Sequence, residues 1–170
     1  VEAAQLAEQN GAAAVTVPAR TTDQGVRGRA DWDVIAQVKQ AVNIPVIGNG
    51  DVTDGQSMLA LFEQTGCDGA MIGRGVMGNP WIFDECRAAL EGRPWQPLTP
   101  AQMWPHIEYH YRMAVELKKL NGLWEMRRYL AWYSKGIPGA AEFRQKVFHS
   151  DDADEVVKIS QEFFLGLVTI

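Results

Sequence analysis

Two glycine-rich segments contain the residues whose types and spacing best suit anion binding. The segments Gly48-Asn49-Gly50-Asp51 and Gly73-Arg74-Gly75 each follow a short apolar run that predicts a buried parallel strand, and each precedes a predicted helix. Glycine lets backbone N–H groups approach a ligand without a Cβ, and a helix N-terminus adds partial positive charge. The pattern predicts an anion cradle, most commonly for phosphate. Its candidate ligands are Asn49, Gly50, Asp51, Gly73 and Arg74.

The cradle residues also have plainer interpretations. The pair Asn49-Gly50 is typical of a hairpin turn as well, but Thr53–Gln64 lacks the alternation of a second strand and has a helical pattern. Arg74 is compatible with an ordinary surface arginine. Its place between two glycines, directly after a buried strand, favours a ligand role.

Helical and apolar segments alternate over the first ninety residues and would position the cradle. Predicted strands are Ala12–Val17, Ile44–Ile47 and Ala70–Gly73; predicted helices are Glu2–Asn10, Trp32–Val42 after an Asp31 N-cap, a helix from a Thr53 N-cap to about Thr65, and Trp81–Leu90. Short apolar strands separated by helices indicate a parallel α/β sheet. Three βα units cannot close an eight-stranded barrel, so we expect the last three units of a (β/α)8 TIM barrel, residues 1–91.

The second half of the chain has only helical patterns. A linker with one glycine and two prolines covers Glu91–Pro97, and Thr99-Pro100-Ala101-Gln102 resembles a capping box with proline at its first helical position. Predicted helices are roughly Pro100–Leu120, Leu123–Ser134, Ala140–Phe148 and Ala153–Val168, with Gly122 and Gly136 between helices. We therefore expect a small all-α domain over residues 98–170.

Composition and charge narrow the functional classes. The chain has 170 residues, of which 46% are hydrophobic and 22% charged, and it has no apolar run of transmembrane length, so we expect no membrane partner. Two cysteines are too few for a disulfide framework, which favours the cytoplasm. The net charge of −5 argues against general nucleic-acid binding, but residues 99–149 carry eight basic and four acidic residues, a local balance of +4.

Several residues outside the cradle have chemistry-bearing side chains. Cys67 and Cys86 are interpreted as small packing residues. His106 and His110 have i, i+4 spacing, but no third ligand is apparent, so we predict no metal site.

One face of the predicted third-from-last helix carries Trp124, Arg128 and Trp132. The face could form a cation–π ladder or a base-stacking surface. Alternatively, the tryptophans pack internally with Arg128 lying over them, which is the interpretation we favour for Trp132. Together with Arg127, Arg128 is a candidate contact for RNA phosphates, which the local positive charge slightly favours.

An ordered set of motifs resembles the C-terminal half of a tRNA-dihydrouridine synthase, closest to the bacterial B-type enzymes. The motifs cover nearly all of residues 1–148 and are Thr16–Thr21, Gln24-Gly25, Ala30–Asp33, Ile44–Asp51, Thr65–Gly69, Ile72–Gly75, Gly78–Trp81, Met126–Tyr133 and Lys135–Ala140. The combination is far more specific than either glycine-rich segment alone.

The resemblance implies a barrel that holds FMN and a helical domain that helps to grip tRNA. In this family NAD(P)H reduces the flavin, the flavin passes a hydride to a uracil ring, and a cysteine acts as general acid. By similarity, Asn49, Gly50, Asp51, Gly73 and Arg74 would contact FMN, chiefly at its phosphate. Arg127 and Arg128 remain the candidate RNA-binding residues of the helical domain. The family's catalytic cysteine and flavin-contacting lysine lie in the first half of the barrel and have no counterpart here.

Three positions depart from the family pattern. Pro18 stands where the family usually has a flavin-contacting histidine, Val26 where it often has tyrosine, and Tyr129 where it often has histidine. We expect the chain to be a piece of a longer enzyme, inactive alone. The alternatives are another FMN- or phosphate-binding TIM-barrel oxidoreductase, and a non-catalytic, truncated RNA-binding fragment.

Overall fold

Three short parallel strands form the sheet that positions the candidate site. They are β1 (Val15–Pro18), β2 (Val46–Asn49) and β3 (Gly69–Met71), in the order β1-β2-β3. Pro18 is in register with Asn49, and Asn49 with Met71. The structure is a computed structural model that describes residues 1–25 and 27–166, so Val26 and the predicted helix end at Val168 lie outside the described residues.

Helices flank these strands in the order that the sequence predicts. They are α1 (Glu2–Gln9), α2 (Trp32–Ala41), α3 (Gly55–Thr65) and α4 (Ile82–Leu90). The buried stripe of α2, Ile35 and Val38, packs in one core with Val46 of β2 and Leu61 of α3. Because full burial of such a side chain contributes about 1.5–3 kcal/mol, this core holds the strands in place. The α/β alternation is confirmed.

The strands differ from their predicted bounds at the ends that face the site. β2 extends two residues further than predicted and includes Gly48 and Asn49, whereas β3 ends at Met71. The chain then turns at Gly73 into a single 3₁₀ turn, Arg74–Val76, and α4 begins only at Ile82. The predicted helix Trp81–Leu90 is therefore confirmed to within one residue, and a 3₁₀ turn and a short loop separate it from Gly73-Arg74-Gly75.

The N-cap of α3 is Asp54, not Thr53 as predicted. The Asp54 carboxylate accepts a hydrogen bond from the Ser57 N–H at 2.7 Å, and the Ser57 hydroxyl accepts one from the Asp54 N–H at 3.0 Å. This closes a capping box, and a carboxylate also interacts favourably with the helix dipole. The predicted Asp31 N-cap of α2 is confirmed, with the Asp33 N–H donating to its carboxylate at 3.1 Å.

The chain divides into two compact units, the first being Val1–Trp95 and the second beginning at Gln96. The helices of the second unit are α5 (Pro100–Lys118), α6 (Leu120–Tyr133), α7 (Ala140–His149) and α8 (Ala153–Phe164). The predicted capping box at Thr99 and Gln102 is confirmed. Within the described part of the chain, none of the helices is both long and apolar enough to cross a membrane.

Gly122 lies inside α6. The sequence pattern had predicted that it would separate two helices, and this prediction was wrong. A Cβ at Gly122 would stand 2.1 Å from the Ala114 carbonyl oxygen of α5, so only glycine allows this close crossing of α5 and α6. The chain instead reverses at Lys119, which adopts a φ of +55° between the two helices. A packing requirement therefore explains the glycine that the sequence pattern assigned to a turn.

Candidate functional site

The carboxyl ends of the three strands line one cleft of about 570 Å³. All five predicted cradle residues line it: Asn49, Gly50, Asp51, Gly73 and Arg74. Pro18 and Arg20 contribute from the end of β1. In parallel α/β folds, this edge of the sheet is where ligands bind.

Asp51 is the centre of a charged cluster in the cleft. Its two carboxylate oxygens accept hydrogen bonds from Arg20 Nη2 at 2.8 and 2.7 Å, and one of them accepts the Ala30 N–H at 2.7 Å. Arg74 Nη2 donates to the other oxygen at 3.2 Å. The hydrogen bond from Arg20 lowers the pKa of Asp51 below its ordinary value of 3.8, although burial opposes this effect. Asp51 is therefore a carboxylate at neutral pH.

Arg20 was not predicted as a site residue. It donates to the main-chain carbonyls of Arg27 at 2.7 Å and Gly28 at 2.8 Å, in addition to Asp51. Its side chain is only 15% exposed, and its buried Nε has no protein partner among the described residues. The signal that could have identified it is its position two residues beyond Pro18, at the carboxyl end of a strand.

The loop that follows β1 is tied together by side chains of its own. The Gln24 amide donates to the carbonyls of Arg27 at 3.0 Å and Arg29 at 2.6 Å. The Asp31 N–H donates to the Ala19 carbonyl at 2.7 Å and closes the base of the loop. The side chains of Arg27 and Arg29 are exposed. The described residues of this loop are thus linked by hydrogen bonds to the main chain, and they expose two cationic side chains.

The turn at Gly50 is closely packed on its loop side. A Cβ at Gly50 would lie 2.8 Å from the Ala30 Cβ, so this position admits only glycine without a shift of the main chain. Trp32 Nε1 donates to the Gly50 carbonyl at 2.9 Å and fixes its direction. Asn49 Nδ2 lies 3.4 Å from the Met71 sulfur, which links the ends of β2 and β3.

The cleft has a surplus of positive charge. Two guanidinium groups share one carboxylate, which leaves one net positive charge, and the Arg74 side chain is 55% exposed. The cleft suits the phosphate end of a nucleotide-like cofactor. It offers the half-exposed guanidinium of Arg74 and the buried Nε of Arg20, which has no protein partner among the described residues. Pro18, also on the cleft wall, has no N–H to offer such a ligand.

The two neighbouring arginines of α6 have different environments. The Arg127 side chain is 15% exposed and donates to the Ser150 carbonyl at 2.6 Å and to Asp151 at 2.7 Å. The Arg128 guanidinium instead lies over the rings of Trp132 at 5.3 Å and Tyr129 at 5.8 Å. Arg127 therefore joins α6 to the turn before α8, and Arg128 forms the cation–π contact that the sequence allowed.

The tryptophans of the predicted α6 face also differ. Trp124 is 53% exposed, whereas Trp132 is half-buried and packs edge-on against Tyr129 at 5.1 Å. His110, on α5, lies edge-on to Tyr129 at 5.0 Å, and its Nδ1 is 3.0 Å from the Tyr133 hydroxyl. Burial lowers the pKa of His110. Over residues 1–25 and 27–166, no group of three or more His, Cys, Asp or Glu side chains could hold a metal ion.

Comparisons with known proteins agree with the motifs. The family model described as dihydrouridine synthase (Dus) matches residues 1–168. This chain belongs to the dihydrouridine synthase family. The match runs through both glycine-rich segments and through α5 to α8.

Curated relatives carry names that agree with this family. A probable tRNA-dihydrouridine synthase of Mycobacterium leprae is 42% identical over 159 residues, which are 92% of this chain and 41% of that protein. Probable tRNA-dihydrouridine synthase 1 of Synechocystis is 40% identical over 91% of this chain and 44% of its own length. A probable tRNA-dihydrouridine synthase of Rickettsia prowazekii is 36% identical over 97% of this chain and 51% of its own length. The chain spans about half the length of these relatives.

Proposed function

We propose that this chain is part of a flavin-dependent tRNA-dihydrouridine synthase, an enzyme that reduces uridine in tRNA to 5,6-dihydrouridine. In this proposal residues 1–91 contribute the last three βα units of the FMN-binding TIM barrel, and residues 98–170 form the tRNA-binding helical domain of a cytoplasmic enzyme. The observation that carries the proposal is the cleft at the strand ends, with its surplus guanidinium, in a member of this family.

The phosphate of FMN would lie against Arg74 in this proposal. Arg74 has a half-exposed guanidinium that is able to donate to a dianion while still contacting Asp51. Gly73, on the cleft wall, has open space where a Cβ would be, so a ligand is able to approach its main chain. When bound, FMN supplies the hydride chemistry, with NAD(P)H as the reductant. The residues of this chain bind and orient the phosphate end.

The general acid is proposed to come from the part of the enzyme that this chain does not include. Cys67 and Cys86 are both buried, and burial raises the pKa of the Cys86 thiol. A thiol buried in the core is not available to a substrate at the strand ends. We therefore propose that the chain alone does not catalyse the reaction.

Arg128 is proposed as the direct tRNA contact on α6. It carries an exposed cation over aromatic rings, and the exposed ring of Trp124 lies one helical turn away. Such a surface suits both phosphate pairing and base stacking. Arg127 is also a cation of α6, but its guanidinium donates hydrogen bonds to the Ser150 carbonyl and to Asp151. We therefore propose that Arg127 holds α6 in place.

The proposal is tested by incubating the intact protein with unmodified tRNA, FMN and NAD(P)H, and measuring dihydrouridine by mass spectrometry. We expect uridine to gain two hydrogens, and Arg128→Glu to weaken tRNA binding by about tenfold. Lys158→Glu is the matched control, because it makes the same charge change on α8 of the same unit and Lys158 is exposed.

Two results would contradict the proposal. Flavin reduction without any dihydrouridine, and with equal tRNA affinity for both variants, would favour a flavin oxidoreductase of small molecules. RNA binding by a protein that takes up no flavin would favour the non-catalytic RNA-binding alternative.

A further inference from the structure

Asp51 has a different environment from the other cradle residues. Its carboxylate already accepts hydrogen bonds from Arg20, Arg74 and the Ala30 N–H. A carboxylate repels a phosphate, and these donors occupy the oxygens that a cation-bridged contact would need. Asp51 is also one of two non-glycine residues with positive φ among the described residues, at +56°. Positive φ is uncommon outside glycine, although aspartate and asparagine adopt it more readily than other residues, and the contacts of the carboxylate fix this conformation.

The contacts of Asp51 connect the two sides of the cleft. On one side, Arg74 begins the 3₁₀ turn after β3. On the other, Arg20 clamps the carbonyls of Arg27 and Gly28, and Asp51 itself receives the Ala30 N–H. Without the carboxylate, two guanidinium groups would face each other with no charge between them, and like charges at this separation repel.

We propose that Asp51 is a positioning residue, which directs Arg74 toward the cofactor phosphate and, together with Arg20, holds the loop segment of residues 27–30 at the edge of the cleft. The role toward the phosphate rests on the proposed function, whereas the role toward the loop does not. The Asp51 carboxylate itself does not contact the phosphate.

The substitution Asp51→Asn separates this role from simple electrostatics. Asparagine tolerates positive φ, so the backbone conformation is retained while the charge is lost. If Asp51 were only a neighbouring negative charge, its removal would tighten the binding of FMN. Positioning predicts the opposite sign, a dissociation constant for FMN that is about tenfold higher, because Arg74 loses the partner that directs it. Fluorescence titration of the intact protein with FMN measures this.

Trypsin tests the role in the loop without any flavin. Cleavage after Arg29 breaks the peptide bond whose N–H is donated to Asp51, and cleavage after Arg27 breaks the bond whose carbonyl accepts from Arg20. Trypsin cuts only a main chain that has locally opened. We expect Asp51→Asn in the intact protein to be cut at both bonds about tenfold faster than the wild type, as followed by mass spectrometry of the fragments.

Two further variants serve as a control and as a second test of the role in the loop. Asp23→Asn removes the same charge from an exposed position in the same loop and should leave both measurements at the wild-type values. Arg20→Lys keeps the charge but loses the forked guanidinium, and should also accelerate cleavage after Arg27. This second variant decides the role in the loop if Asp51→Asn does not fold.

The proposal is wrong if Asp51→Asn is cut at the wild-type rate, or if it binds FMN as tightly as, or more tightly than, the wild type. If the wild type itself takes up no FMN, the proposed function fails. The trypsin comparison then decides by itself whether Asp51 holds the loop.

Discussion

The cleft at the strand ends and helix α6 each contain two arginines, and in each region the two arginines have different environments. In the cleft, Arg20 and Arg74 share Asp51, and the less buried of the two remains available to a ligand. On α6, Arg127 bonds within its own unit and Arg128 lies over aromatic rings. In both regions one arginine is structural and the other is the candidate for binding. Burial and hydrogen-bond partners, not residue type, distinguish them.

The largest effect should come from removing the structural arginine of the cleft. Arg20→Ala leaves two main-chain carbonyls without their side-chain donor and removes the shorter of the two ion pairs of Asp51, so we expect the free energy of unfolding to fall by about 2–3 kcal/mol. Urea denaturation followed by tryptophan fluorescence measures this. An Arg74→Ala variant, which removes a half-exposed group, should lose less than about 1 kcal/mol. Equal losses for the two variants would remove the distinction between them.

The same comparison applies to α6, with a smaller effect. Arg127→Ala removes a hydrogen bond to the Ser150 carbonyl and an ion pair with Asp151, which is itself 80% exposed, so we expect a loss of about 1–2 kcal/mol. Arg128→Ala should lose about 0.5 kcal/mol or less, but weaken tRNA binding. Thermal denaturation and tRNA titration of both variants measure these values. If Arg127→Ala proved neutral for stability and harmful to tRNA binding, the roles would be reversed.

The smallest effect is the pH dependence of the cleft. Because its folded-state pKa lies below the ordinary 3.8, Asp51 contributes stability that is fully present above that pH and is lost as pH falls through the lowered value. The difference in unfolding free energy between wild type and Asp51→Asn should therefore be constant from about pH 5 to pH 8 and shrink below about pH 4. Denaturation curves at several pH values test this. A difference that changes near pH 6 would mean that another group controls the cluster.

Periodic and local features of the fold were accessible from the sequence. The alternation of apolar strands and helices and the capping box at Thr99 depend on residues close in the chain, and both are confirmed. Strand ends, the Asp54 cap and the place of Gly122 were missed. The Gly122 error is the most instructive, because the glycine is required by Ala114 on another helix rather than by its own backbone.

The candidate site was accessible only in part, for the same reason. Glycine-rich turns after apolar runs located the cleft, since strand ends of a parallel sheet meet at one edge. The roles of Arg20 and Asp51 depend on a bond between residues 31 positions apart, and that of Arg127 on a partner 24 positions away. Helix geometry does separate Arg127 from Arg128, because consecutive residues project about 100° apart. It does not reveal which of them finds an acceptor.

The central claim is that the cleft binds the phosphate of a flavin through Arg74. It is tested most directly by titrating the intact protein with FMN and comparing Arg74→Ala with Arg87→Ala, which removes an exposed arginine of α4 outside the cleft. We expect the dissociation constant of Arg74→Ala to rise by about tenfold, and that of Arg87→Ala to match the wild type. Equal affinities for all three proteins would contradict the claim.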